Sequence, residues 1–170
     1  MPEIFDLVDE NNRPTGKTAT REQVHKDPSL IHRAAYVFVI NDKEKLYIKR
    51  RSLIKDLSPL YWEGSASGHV ETGDSYEDTA MKELQEETGI TGVKMEMLGD
   101  FKLFIDKERE WHRLFICHHN GPITLNEESS EGRFASIDGI KRLLEDKDMK
   151  FTQAFRKAFK MYLEHLDSSD

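Results

Sequence analysis

The sequence is poor in cysteine, with Cys117 as the single example among 170 residues. One cysteine excludes an intramolecular disulfide, and this usage fits a reducing compartment. No apolar run approaches the ~18 residues of a membrane span. The acidic first ten residues lack the basic segment and apolar run of a signal peptide. The sequence therefore indicates a soluble, cytoplasmic protein with no place in a membrane.

An excess of positive charge is also absent, since the formal net charge is −7 and the sequence pI is about 5.5. A nucleic-acid polymer is therefore not the expected partner, because such binders usually carry a basic face. An anionic small molecule stays possible, because a bound divalent cation can reverse the local charge of a site. Without internal repeats or long linkers, residues 1–170 are predicted to form one domain.

Local patterns place strands and helices along the whole chain. Ser75 is a candidate helix cap, Gly89 a glycine stop, and the residues between them are predicted to be helical. Other strands are predicted at 4–8, 34–40, 46–50, 93–98, 102–105 and 113–117, and other helices at 21–26, 137–144 and over the apolar stripe 151–166. Because the helices do not alternate regularly with strands, the pattern favours an α+β class.

Three carboxylates fall on one face of the predicted helix 75–88. Glu83 is three residues from Glu86 and four from Glu87, spacings that bring side chains about 5–6 Å apart at Cβ. Such like charges repel one another, and a divalent cation with a preference for oxygen, such as Mg²⁺, removes that repulsion. Taken alone, the same run is more typical of a solvated acidic helix face, because such runs are common.

The flanking residues extend this pattern. Residues 68–90 resemble the Nudix box, which runs Gly, five residues, Glu, seven residues, then Arg-Glu-apolar-any-Glu-Glu-any-Gly-apolar. The positions that match are Gly68, Glu83, Leu84, Glu86, Glu87, Gly89 and Ile90. Asp74 and Lys82 replace the Glu and Arg of the pattern, and both keep the sign of the charge.

The resemblance implies the Nudix fold, a mixed β-sheet sandwiched between helices, with the box as loop, helix and loop. It also implies hydrolysis of a nucleoside or other organic diphosphate, with Mg²⁺ or Mn²⁺ held by Glu83, Glu86 and Glu87. Glu83 is the first candidate for the general base. A further catalytic carboxylate is expected from residues 126–134, with Glu131 preferred to Glu128, although a solvated acidic loop is an equal alternative.

Residues 21–89 also resemble type I isopentenyl-diphosphate isomerase, which shares the Nudix fold. That resemblance implies a second metal site at His25 and His32. Together, the two resemblances imply substrate-binding positions at Arg51, Lys55, Gly68 and His69.

The isomerase resemblance fails at two points. The isomerase has a cysteine where this chain has Ser67, and it has glutamates on a strand that here reads from Trp111 to Cys117 without an acid. Conversely, its helix typically lacks carboxylates matching Glu83 and Glu86. The sequence therefore favours a diphosphohydrolase acting on a small molecule, with the isomerase and a non-catalytic diphosphate-binding domain as alternatives. Family analogy also suggests a homodimer.

Overall fold

The computed structural model describes residues 1–169. In chain order the elements are β1 (Ile4–Val8), β2 (Pro14–Thr20), α1 (Arg21–Lys26), β3 (His32–Ile40), β4 (Leu46–Arg51), β5 (Trp62–Glu63), β6 (Ala66–His69), α2 (Tyr76–Thr88), β7 (Glu96–Ile105), β8 (Glu108–His118), β9 (Ser129–Ala135), α3 (Ile137–Glu145) and α4 (Gln153–Ser168). Strands β1 and β2 pair antiparallel as an N-terminal hairpin. The other strands form a second, larger sheet.

The larger sheet is mixed. Its neighbours run β5-β4-β3-β8-β7, with β6 paired to β3 and β9 paired to β4. Strands β3 and β8 are parallel over their whole shared length, from His32 opposite Glu110 to Ile40 opposite His118. The other pairs are antiparallel. This parallel pair brings the first residues of β8 beside the first residues of β3, at the edge of the site described below.

Helices cover both faces of this sheet. Alternate residues of a strand point to opposite faces, so Phe38 packs with Phe155 of α4 while Val37 packs with Leu84 of α2. All four side chains are fully buried, and each contributes on the order of 1.5–3 kcal/mol. The sheet therefore lies between α2 on one side and α3 with α4 on the other, which confirms the predicted α+β class.

Three segments differ from the sequence-based expectation. Residues predicted as two strands, 93–98 and 102–105, form the single strand β7, and β8 begins at Glu108, five residues before the predicted start. Residues 129–135, expected in a loop, form β9 along β4. Charged residues occupy the inner face of early β8, so the apolar alternation that marks a strand is missing there. Within residues 1–169 no helix has the length and apolarity needed to cross a membrane.

Candidate active site

Helix α2 presents the box carboxylates, defined as Glu83, Glu86 and Glu87. It begins after Ser75, whose side chain accepts from the backbone N–H of Asp78, and it ends at Gly89 in the left-handed conformation with φ 75°. Ala80 and Leu84 are buried against the sheet. Glu83 lies at the border of this buried stripe and Glu86 lies farther round the helix, and both line a pocket.

The site pocket has a volume of about 290 Å³. Its walls come from α2, β6, the start of β8, the start of α4 and the segment after β4. The predicted site residues that line it are Arg51, Lys55, Gly68, His69, Glu83 and Glu86. Carboxylates that the sequence did not single out also line it, among them Glu63, Glu108 and Glu110. The pocket therefore mixes many carboxylates with a few cations.

Gly68 and Glu83 approach each other more closely than any other residue at position 68 would allow. A Cβ atom built on Gly68 would lie only 2.4 Å from Cδ of Glu83. Burial, together with the charges of Glu87 and Glu86, raises the pKa of Glu83 to about 8. A divalent cation removes this unfavourable charge density, so the donor set and the space beside Gly68 fit a metal bound by oxygen.

Glu87 lies beneath the site pocket rather than in its wall. It is 4% exposed, and its carboxylate accepts from the ammonium of Lys49 and, at 3.0 Å, from the backbone N–H of Ser67. Lys49 also lies 3.8 Å from Glu63, which accepts from Arg51 at 2.9 Å. The third box carboxylate is therefore the end of a buried chain of alternating charges.

Arg51 and Lys55 line the pocket, but both also stabilise the segment that follows β4. The guanidinium of Arg51 donates from Nε and Nη2 to the carbonyl of Leu57, at 3.0 and 2.8 Å. The ammonium of Lys55 lies 3.0 Å from Glu128. Although burial opposes it, this contact lowers the pKa of Glu128. Two positive charges are thus fixed near the box carboxylates, where a diphosphate would carry negative charge.

A second group of donors, the histidine cluster, consists of buried His32 together with His69 and Glu110, which line the pocket. Its ligand atoms all lie within 4.8 Å of one another, and among residues 1–169 no other three His, Cys, Asp or Glu are so close. The carboxylate oxygens of Glu83, Glu86 and Glu87 therefore lie farther from one another than the ligand atoms of this cluster do. Glu110 also accepts hydrogen bonds from His69 at 3.0 Å and from His112 at 2.7 Å. Although burial raises the pKa of Glu110, these two histidines hold it well below its ordinary value.

The chemistry of the histidine cluster fits a divalent metal. Two imidazoles and a carboxylate are typical ligands for first-row transition metals. Burial lowers the pKa of His32 to about 4, so its imidazole is neutral and able to act as a ligand. The structure corrects the expected pair, because His25 is outside the cluster while His69 and Glu110 complete it. The sequence signal that could have located this cluster is the spacing of Glu110 and His112, which puts both side chains on the same face of a strand.

The structure places the other candidate carboxylates differently from the sequence-based expectation. Glu131 does not reach the site pocket, because it lies on β9 in register with Arg50 and faces a separate groove. Glu128, the second choice, lines the site pocket instead. The early part of β8 was expected to offer no acid, yet Glu108 and Glu110 both line the pocket because the strand begins earlier than predicted. Cys117 is buried, as expected.

Comparison with known proteins places this arrangement in a family. The family model for the NUDIX domain matches residues 30–155. A Pseudomonas aeruginosa protein named uncharacterized Nudix hydrolase PA4841 is 32% identical over 163 residues, 95% of this chain and 94% of that protein.

Solved structures share the fold. The crystal structure of DR0079 from Deinococcus radiodurans has a TM-score of 0.79 at 22% identity, over 94% of this chain and 99% of that chain. The NUDIX domain of NrtR from Shewanella oneidensis, solved with ADP ribose, has a TM-score of 0.62 at 13% identity, over 78% of this chain and 86% of that chain. These likenesses concern the fold alone.

Proposed function

Because this chain belongs to the Nudix family, we propose that it is a diphosphohydrolase that cleaves a nucleoside or other organic diphosphate. The observation that carries the proposal is the approach of Glu83 to Gly68 at the wall of a pocket that also contains Arg51 and Lys55. This arrangement combines a carboxylate site for a cation with positive charges for a substrate's phosphates.

The metal proposed for this site is Mg²⁺, or Mn²⁺ in its place, held by Glu83 and Glu86 with support from Glu87. Mg²⁺ suits the site because it takes oxygen ligands and is usually shared between a few carboxylates, waters and substrate phosphates. When bound, the ion supplies Lewis acidity towards the phosphoryl oxygens and makes a water molecule more acidic.

The protein's own groups would carry the remaining tasks. Glu83 is the proposed general base, because its carboxylate lies beside Gly68 at the wall of the pocket. It would accept the proton of the attacking water while a new oxygen–phosphorus bond forms and the bond to the leaving phosphate oxygen breaks. Arg51, Lys55 and the imidazole of His69 would hold the diphosphate by charge and hydrogen bonding.

We propose a second divalent cation at the histidine cluster. The support is the convergence of His32, His69 and Glu110 within 4.8 Å, with Nε2 of buried His32 3.6 Å from Glu110. Co²⁺ added to the metal-free protein should give visible absorption bands of nitrogen-ligated cobalt. His69→Ala should lose these bands and keep Mg²⁺ binding, whereas equal Co²⁺ spectra in both proteins would rule out this site.

The isomerase alternative is weaker but has one new point in its favour. Glu108 and Glu110 supply carboxylates that the sequence was thought to lack. Ser67 still stands where the isomerase has a cysteine, and the family matches are to hydrolases. Several expectations remain predictions. They are a single domain over residues 1–170, a cytoplasmic location, a small-molecule substrate and a homodimer.

A substrate panel tests the hydrolase proposal. Nucleoside diphosphate derivatives, nucleoside triphosphates and isoprenoid diphosphates are incubated with the protein and Mg²⁺, and released phosphate or pyrophosphate is measured. At least one class should give kcat/KM of about 10⁴ M⁻¹s⁻¹ or more. Glu83→Gln should lose this activity. The absence of turnover on every class, by folded protein that binds Mg²⁺, would favour a binding domain.

A further inference from the structure

Lys49 places a positive charge inside the protein, directly below the site pocket. Strand β4 carries it, and only 1% of the residue is exposed. Its ammonium donates to Glu87 and lies 3.8 Å from Glu63. Burial opposes a charge here, but these two carboxylates outweigh it and raise the pKa of Lys49. Lys49 therefore places a buried ammonium between two buried carboxylates.

Both carboxylate oxygens of Glu87 already have donors. Oε1 accepts from Lys49, and Oε2 accepts from the backbone N–H of Ser67 at 3.0 Å. Glu83 and Glu86 line the site pocket, whereas Glu87 is buried below it. A buried carboxylate without a partner strongly destabilises a fold. The contact with Lys49 therefore supplies the cationic partner that this buried carboxylate needs when no metal is bound.

We infer that Lys49 is a positioning residue that acts as a built-in cation for Glu87. It neutralises the third box carboxylate and fixes its orientation in the absence of metal. This inference rests on the proposed function, because it assigns Lys49 a role in the metal site of that reaction. Because Lys49 holds the Glu87 carboxylate, the protein needs no divalent cation to keep that side chain in place.

The inference predicts the direction of the change in metal affinity. With Lys49 present, an entering divalent cation is attracted by two uncompensated box carboxylates rather than three. Removing the ammonium adds one effective negative charge several ångströms from the ion. At an effective dielectric constant of ~20, that attraction corresponds to at least a tenfold gain in affinity. Loss of Lys49 should thus weaken the metal-free fold and strengthen metal binding.

The test uses Lys49→Met in the full chain at pH 8, with melting temperature and calorimetric Mg²⁺ binding as readouts. Mg²⁺ is the probe because its preference for oxygen disfavours the histidine cluster. In EDTA the variant should melt well below wild type. Saturating Mg²⁺ should raise its melting temperature by more than it raises that of wild type, and its dissociation constant for Mg²⁺ should be at least tenfold lower.

Two control variants isolate the charge of Glu87. Lys49→Met/Glu87→Gln should recover most of the melting temperature in EDTA and lose the extra gain from Mg²⁺, because the uncompensated charge is gone. Lys43→Met removes an exposed lysine and should change neither quantity. This control shows whether the loss of one positive charge anywhere in the protein has the same effect.

Each outcome decides the inference. A single variant that folds only with Mg²⁺, or not at all while the double variant folds in EDTA, supports it. An unchanged or weaker affinity for Mg²⁺ in the single variant overturns it, as does failure of the double variant to recover stability. If wild type binds no Mg²⁺, the proposed hydrolase loses its metal site, while the comparison of single and double variants in EDTA still decides the role of Lys49.

Discussion

Glu83 occupies the space that a side chain at position 68 would fill, with its Cδ atom 2.4 Å from the place of a Cβ on Gly68. This relationship joins the first residue of the Nudix box to a helix carboxylate fifteen residues later in sequence. It explains why a glycine stands at the first position of the box. The approach positions the proposed general base at the wall of the pocket.

Gly68→Ala should therefore displace the Glu83 carboxylate. A shift of about 1 Å in a catalytic group can cost about a hundredfold in rate, so turnover should fall by that order while the protein stays folded. Gly99→Ala is the matched control, since Gly99 also lies in a strand but is near only the flexible Met161, at 3.3 Å. Equal steady-state rates for the two variants would show that the close approach is not needed.

Mg²⁺ should raise the melting temperature of the wild-type protein. A ligand that binds only the folded state stabilises it by about 2.7 kcal/mol at a hundredfold excess over its dissociation constant. For a chain of this length that corresponds to about 5–10 °C. Thermal scans in EDTA and in millimolar Mg²⁺ measure the shift. If there is no shift and calorimetry detects no binding, the box carboxylates do not form a metal site.

The affinity for Mg²⁺ should increase with pH up to about 8. The pKa of Glu83 is raised from an ordinary value near 4.5 to about 8, first by burial and then by Glu87 and Glu86. Mg²⁺ binds the deprotonated carboxylate, so below pH 8 protons compete with the metal. Calorimetric titrations at pH 6, 7 and 8 should show the dissociation constant falling, whereas Glu83→Gln should give weak binding with a flatter pH profile.

The same raised pKa sets the sign of a stability effect in EDTA. The folded state holds the Glu83 proton more tightly than the unfolded state does. Its contribution to the free energy of unfolding is therefore fully present below about pH 4.5 and is lost as the pH rises through about 8. Melting in EDTA should fall more between pH 6 and 8 for wild type than for Glu83→Gln. Equal falls in the two proteins would mean that Glu83 is ionised throughout this range.

The protein should not convert isopentenyl diphosphate into dimethylallyl diphosphate. Isomerisation needs one group to protonate the alkene and another to remove a proton on the opposite side. A cysteine thiol titrates near pH 8.5, whereas the Ser67 hydroxyl has no comparable acidity. NMR in heavy water, with a type I isomerase as positive control, should show no deuterated product. Its appearance at enzymatic rates would reverse the choice between hydrolase and isomerase.

The sequence predicted the frame of the site because the box is local. Ser75, Gly89 and the apolar residues between them define one helix, and the spacing of Glu83, Glu86 and Glu87 follows from it. The mixed sheet between helices follows from the family resemblance, and the likeness to DR0079 confirms it. Such features depend on residues within a short stretch of chain.

The errors concern residues that meet only in the folded chain. Glu110 is opposite His32 because β8 runs parallel to β3, and 78 residues separate them. The contact of Lys49 with Glu87 depends on β4 lying under α2. Glu131 looked suitable in sequence, but pairing of β9 with β4 turns it away from the pocket. Strand register, which local patterns do not specify, decides each case.

The most direct test of the central claim is hydrolysis of the best panel substrate in ¹⁸O-labelled water, followed by mass spectrometry. Wild-type protein with Mg²⁺ should incorporate one ¹⁸O into a phosphate-containing product per turnover. Glu86→Gln should slow this by on the order of a thousandfold, because metal contributes several kcal/mol to such transition states. The control Glu77→Gln, an exposed residue of α2 outside the pocket, should match wild type. Label incorporation by Glu86→Gln at the wild-type rate, or no incorporation by wild type on any diphosphate, would contradict a metal-assisted diphosphohydrolase built on the box carboxylates.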